Sequence, residues 1–261
     1  MKKIRQAIKR LESFFHERDS RPAILARQLL GQEHPGDRRL AELLCQEGGA
    51  STRMDGSIQG SLARTAWAAW ELMDLGLDAL DGGLDRLVSW VLARVEGGDA
   101  EPEALPLELA NGLVLAAAGD AASATRCLAV RTLVRARRGE RPGVGAAIRE
   151  LALSRQPATL NLSASVLGAL ALAPPEHRHH LEGLIGRLGA AQDSGGGWAG
   201  ADLFHMLEAL VLAGIRPARA LIAKAVPALL QRQGADGGFD GSPHEERAFI
   251  GLRSLVIAAE D

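Results

Sequence analysis

Apolar positions recur along most of this chain at helical spacing. Ile4, Ile8, Leu11 and Phe15 form one stripe of a basic segment, 2–18, because residues three and four apart share a helix face. The same periodicity predicts a helix over 22–46. It gives way to a Gly/Ser turn from Glu47 to Gly60 that contains Asp55-Gly56-Ser57-Ile58. Ser61–Gly76 reads as a helix with a Ser start and a Gly stop. Further helices are expected over 82–95, 103–118, 121–138 and 143–155, and over Leu162–Leu172 ahead of Pro174-Pro175. The pattern ends with helices over 177–191, 202–213, 218–233 and 244–259. No segment alternates as a half-buried strand would.

The helices differ in how much of their circumference is apolar. Those near 66–75, 109–118, 163–173, 203–213 and 247–258 are Ala/Leu-rich nearly all round, which predicts burial on every side. Those near 84–95, 121–138, 144–155, 180–191 and 218–232 carry a single stripe and a charged face, which predicts an outer layer. Two concentric helical layers make an α/α barrel. An open solenoid of paired helices is the alternative.

One phrase occurs twice. Gln192-Asp-Ser-Gly-Gly196-Gly-Trp198 and Gln233-Gly-Ala-Asp-Gly237-Gly-Phe239 share Gln, three residues, Gly, one residue and an aromatic. With Gln156 these glutamines mark three consecutive units of about forty residues, a period typical of repeat architectures. Gln can bond free backbone groups at a helix end, Gly allows a tight turn, and the aromatic packs between hairpins.

Composition narrows the choices. The 261 residues are 47% apolar, only 3% aromatic, and contain no Tyr. A net charge of −2 gives no bulk case for nucleic acid as a partner. Two distant cysteines, Cys45 and Cys127, form neither a disulfide framework nor a metal-ligand spacing, and a reduced, cytoplasmic setting is expected. No 18-residue apolar run is present to span a membrane. The basic first segment lacks the apolar core of a signal peptide. It packs on the rest of the chain or makes peripheral membrane contact.

The Gln-x-x-x-Gly-x-Trp/Phe phrase resembles the repeat of the terpenoid-cyclase and protein-prenyltransferase superfamily, which includes squalene–hopene cyclases and the β subunits of protein prenyltransferases. The resemblance implies an all-α fold, an α/α toroid of about five helical hairpins over 46–261, with 1–45 as a helical extension packed on it. A second echo is Asp202-Leu-Phe204-His205 followed by an apolar helix. It is similar to the β-subunit segment whose His binds zinc. The other two ligand positions of that family, an Asp and a Cys, fall on Asn161 and Ser163 here, which are poor zinc ligands. No Asp-x-Asp-Asp phrase of the cyclases is present. Neither a metal nor another cofactor is therefore expected.

If the apolar helices are parallel, their N-terminal ends share one face, rich in free N–H groups and suited to an anion. The polar residues placed there are Arg64, Glu108, Asn111, Asn161, Ser163, Asp202, His205, His244, Glu245, Glu246 and Arg247. His205 is the leading catalytic candidate, with Asp202 as a partner or N-cap and Glu208 one turn further on as an acid or base. Arg64, Trp67, Trp70, Asn161, Ser163, Phe204 and Arg247 are the expected ligand-binding residues, with the head group near Arg64, His205 and Arg247 and the tail among Ala, Leu and Trp67 or Trp70. The run Arg126, Arg131, Arg135, Arg138 reads as a solvated helix face, and His177-Arg-His179-His180 as a solvated helix start. Two functions follow from the resemblance. One is an isoprenoid-handling relative of the prenyltransferases and cyclases, with a non-standard active site near His205. The other is a catalytically silent toroid that binds a hydrophobic molecule or a protein partner.

Overall fold

A computed structural model describes residues 1–78, 81–98, 107–108, 114–116, 118–153, 157–241 and 244–260. The described residues are all-α apart from one short strand pair. The helices are α1 (Lys2–His16), α2 (Arg21–Leu30), α3 (Asp37–Ala50), α4 (Leu62–Asp74), α5 (Gly82–Gly97) and α6 (Ala121–Arg135). They continue as α7 (Pro142–Leu153), α8 (Leu160–Leu172), α9 (His179–Ala191), α10 (Leu203–Ala213), α11 (Arg216–Arg232) and α12 (Glu245–Glu260).

Three expectations are corrected. The helix expected over 22–46 is two helices, because α2 stops at Gly31 in the left-handed conformation and Pro35 precedes the restart. α3 then runs on to Ala50, into the segment read as a turn. The helix expected over 103–118 is not seen, for Leu107–Glu108 (β1) and Val114–Ala116 (β2) pair antiparallel. Most of that segment, with Asn111, and the unit marker Gln156 lie outside the described residues. The third correction concerns α6, which is not an outer helix. Its Ala121, Ala124, Cys127, Leu128, Val130 and Leu133 are all buried, and it packs between α4 and α8.

The even-numbered helices pack in succession, α4 on α6, α6 on α8, α8 on α10 and α10 on α12. α12 also packs on α2, and α2 touches α4. The odd-numbered helices α1, α5, α7, α9 and α11 lie against them with one buried stripe each, as single-stripe amphipathicity dictates, whereas Asp37 is the one buried residue of α3. α1 packs on α2, α11 and α12. Arg27 fastens the first three helices. Its guanidinium donates to the carbonyls of Phe15 and Arg18 and to the buried carboxylate of Asp37.

The repeated phrase has one geometry at both sites. Gln192 bridges to Trp198, and Gln233 to Phe239. The Gln192 amide donates to the Gly196 carbonyl and across to Leu221 of α11. The Gln233 amide donates to the Gly237 carbonyl and across to Ala7 of α1. The degenerate phrase at Asp55 adopts the same turn. Arg53 N–H donates to the Ser57 carbonyl as Asp193 does to Gly197 and Gly234 to Gly238. At each turn the central glycine has φ near +90° and abuts a carbonyl of an odd-numbered helix: Arg86 of α5, Lys224 of α11, and Arg10 of α1.

Trp198 is buried, and its indole N–H donates to the Leu188 carbonyl in the last turn of α9 at 2.8 Å. It thereby satisfies one of the acceptors that a helix end leaves free. Trp198→Phe keeps most of the packing and loses this bond. A loss of about 1–2 kcal/mol is expected in chemical denaturation; an unchanged midpoint would show that the indole N–H contributes nothing.

Candidate functional site

Two groups of polar side chains lie among the even-numbered helices. The first sits at the N-terminal ends of α8, α10 and α12. Asp202 caps α10, accepting from the N–H groups of Phe204 and His205 at 2.9 and 3.0 Å. Its second oxygen accepts from Arg247 at 3.1 Å, and its own N–H donates to the Asn161 side chain at 3.0 Å. His205 is 1% exposed. Its Nε2 lies 3.1 Å from the Asn161 carbonyl and 3.0 Å from Ser165 Oγ. A carbonyl can only accept, so Nε2 carries a proton.

The structure thus brings together Asn161, Asp202, His205 and Arg247, and adds Ser165, which the sequence did not single out. Arg247 also reaches outside the group, donating to Asp240 at 3.3 Å. Ser163 is buried and returns its hydroxyl to the Thr159 carbonyl of its own helix. Phe204 is fully buried, edge-on to Phe239 at 5.1 Å between ring centroids. Arg64 is not brought to this group; it is exposed and bonds Gln59 of its own loop.

The second group surrounds an interior cavity of about 350 Å³. Its apolar wall includes Trp70, Leu172, Leu212 and Phe249, and its charged wall is Asp74, Arg135, Glu208, Glu246 and Arg253. Asp74, Arg135, Leu172 and Leu212 lie at the C-terminal ends of α4, α6, α8 and α10. The cavity therefore opens toward the ends opposite those expected to carry the site. His205 does not line it. Glu208 does, and joins the two groups, with Oε2 3.7 Å from His205 Nδ1 and Oε1 accepting from Arg131 at 3.0 Å.

Of the arginines read as a solvated face, Arg126 and Arg138 are more than a third exposed and pair with exposed acids, whereas Arg131 and Arg135 turn inward. Arg131 is 3% exposed and pairs with Glu208, while Arg135 pairs with Asp74 at 2.6 Å. Their guanidinium carbons lie 4.7 and 4.3 Å from the Trp70 ring centroid. Arg21, at the start of α2, bonds Asp74 and Glu246 and lies 3.4 Å from Glu71. Trp67 is buried beside this pair of cations rather than in the cavity wall, with Arg21 and Arg131 at 5.5 and 5.8 Å.

Burial and charge drive the two glutamates of the cavity apart. Burial dominates at Glu246 and, with Glu208, Asp74 and Glu71 nearby, outweighs Arg21 and pushes its carboxyl up to about 7. Glu208 is equally buried, but the charge of Arg131, with His205 beside it, outweighs that burial and holds it down to about 2. Opposite shifts in one cavity are the arrangement that separates an acid from a base.

A wider groove of about 980 Å³ runs between α2, α3 and the end of α4, past His34, Asp37, Cys45 and Gly76. Asp74 lines both spaces. No helix among the described residues is long and apolar enough to cross a membrane. Among the described residues no group of three or more His, Cys, Asp or Glu side chains is arranged to hold a metal ion.

Compared with known proteins, the chain matches no family model, and no curated protein matches it in sequence.

Proposed function

We propose that this chain is an α/α toroid of the terpenoid-cyclase and prenyltransferase type that binds an isoprenoid-like or other partly hydrophobic small molecule in its interior cavity. The packing order supports the toroid reading, since the succession α4, α6, α8, α10, α12 returns through α2 to α4. The contact of Gly237 with α1 supports it as well, because the last repeat turn meets the first helix as the earlier ones meet α5 and α11.

The observation that carries the ligand reading is the cavity. Its volume is at the lower end of small-molecule sites, roughly 300–1,000 Å³, and its wall is half apolar. Binding is favoured over carbocation cyclisation by the state of the aromatic rings. Arg131 and Arg135 already lie over Trp70, and Arg253 over Phe249. A ring face occupied by a guanidinium does not stabilise a second cation. The expected site is thus Trp70, Phe249, Leu172 and Leu212 for the body of the ligand, with Glu208 linking it to His205.

The test is titration of the full chain with geraniol and related short isoprenoids, read by tryptophan fluorescence and calorimetry. Saturable binding with a stoichiometry of one, at least tenfold weaker in Trp70→Ala, is expected. Absence of binding by every isoprenoid, or binding unaffected by Trp70→Ala, would overturn the reading.

A further inference from the structure

The charges around the cavity do not match one for one. Arg131 has Glu208, Arg135 has Asp74, and Arg21 has Asp74, Glu246 and Glu71. Arg253 also lines the cavity. No hydrogen bond or ion pair joins it to a described residue; its guanidinium carbon lies 5.6 Å from the centroid of the Phe249 ring, and the charges of Glu208, Asp74 and Glu246 act on it from across the cavity. Arg253 sits in the middle of α12 and is half-buried, with its head group at the cavity wall. Burial lowers its pKa, the direction expected of a cation that has lost water without gaining a full counter-charge. Burial pushes the Glu246 carboxyl up to about 7, so near neutrality it supplies only part of that charge.

We infer that Arg253 is the anchor for a single carboxylate on the cavity's ligand, so that the ligand is a medium-length amphiphile with a monoanionic head. The inference rests on the ligand-binding reading above and specifies its chemistry. A guanidinium offers a planar fork of N–H donors that matches a carboxylate bidentately. One unpaired cation calls for one negative charge. A diphosphate would bring several into a space that already holds the ionised Glu208, and like charges at this depth repel strongly. The apolar half of the wall, Trp70, Leu172, Leu212 and Phe249, then receives the hydrocarbon, and the cavity's modest size limits its length. Arg135 stands on the same wall but is committed to Asp74, so it orients the head group rather than neutralising it.

The experiment uses decanoate, decanol and geranyl diphosphate against the full chain, by calorimetry at neutral pH, with Arg253→Gln and Arg253→Lys as variants. Decanoate is expected to bind more tightly than decanol and geranyl diphosphate. Arg253→Gln should weaken decanoate at least tenfold and leave decanol unchanged, and Arg253→Lys should recover part of the loss. Thermal melts establish that each variant is folded, and the Lys variant carries the test if the Gln variant is not. Equal binding of decanoate and decanol, or an equal effect of Arg253→Gln on both, overturns the assignment while leaving the cavity as a ligand site. Tighter binding of the diphosphate overturns the monoanionic head. Failure of all three ligands to bind removes the ligand-binding reading and this inference with it.

Discussion

Gly237→Ala is expected to destabilise the fold by roughly 3–5 kcal/mol, combining the strain of a left-handed Ala with a backbone clash. The glycine has φ +94. A Cβ placed on it would run into the Arg10 carbonyl of α1, with the carbonyl carbon at 2.9 Å and Phe14 Cβ at 3.1 Å. Neither α1 nor the turn can retreat cheaply, because Gln233 ties the turn to Ala7 of the same helix. Gly76→Ala is the matched control. Its φ is also +94, but nothing lies within 4 Å of the added atom, so only the conformational part of the cost, about 1–2 kcal/mol, should appear. Urea denaturation of both variants separates the two terms. If they are equally destabilised, the close approach of the repeat turn to α1 has no energetic weight.

This pair of residues also indicates what the sequence could disclose. The repeat phrase was legible because it is local: a turn of fixed length needs Gly at one place and a side-chain amide at another. The first unit has Thr52 where the later ones have Gln, and Ile58 where they have an aromatic, yet its backbone turn is the same. The break between α2 and α3 was missed because apolar periodicity runs on through 22–46, although Gly31 and Pro35 are the stop signals.

Long-range partners were not legible. Arg131 and Arg135 repeat at helical spacing as a solvated face does, and nothing nearby in sequence shows that acids await them. Glu208 and Asp74 are 77 and 61 residues away. One signal was available. A charged residue in the middle of a helix apolar nearly all round must face the interior, and both Glu208 and Arg253 are of this kind. Reading α6 as an outer helix concealed the cavity's cationic side. It left the N-terminal ends as the apparent site, with His205, Asp202 and Arg247 at its centre. Those residues do meet, and His205 connects them to the cavity through Glu208.

Arg131→Met should cost roughly 3–5 kcal/mol, the usual penalty for stranding a buried ion. Arg131 and Glu208 have side chains only 4% and 6% exposed and meet at 3.0 Å. Met matches the length of the arginine stem and keeps contact with Trp67 and Trp70, so packing loss is small and the orphaned carboxylate dominates. The loss must also depend on pH in a fixed sense. Glu208 is held at about 2 against an ordinary 4.5, so its stabilising contribution is complete above 4.5 and disappears as pH falls toward 2. The stranded carboxylate of the variant takes up a proton above its ordinary value, so the gap between parent and variant should be widest at the alkaline end and narrow steadily as pH falls toward 2. Converting Glu208 to Gln in the same chain removes the stranded charge, and Arg131→Met/Glu208→Gln should regain more than half of the loss. Denaturation curves at several pH values check all three points. A double variant as unstable as Arg131→Met, or a gap that does not narrow in acid, would mean that the cost lies in packing rather than in the buried ion pair.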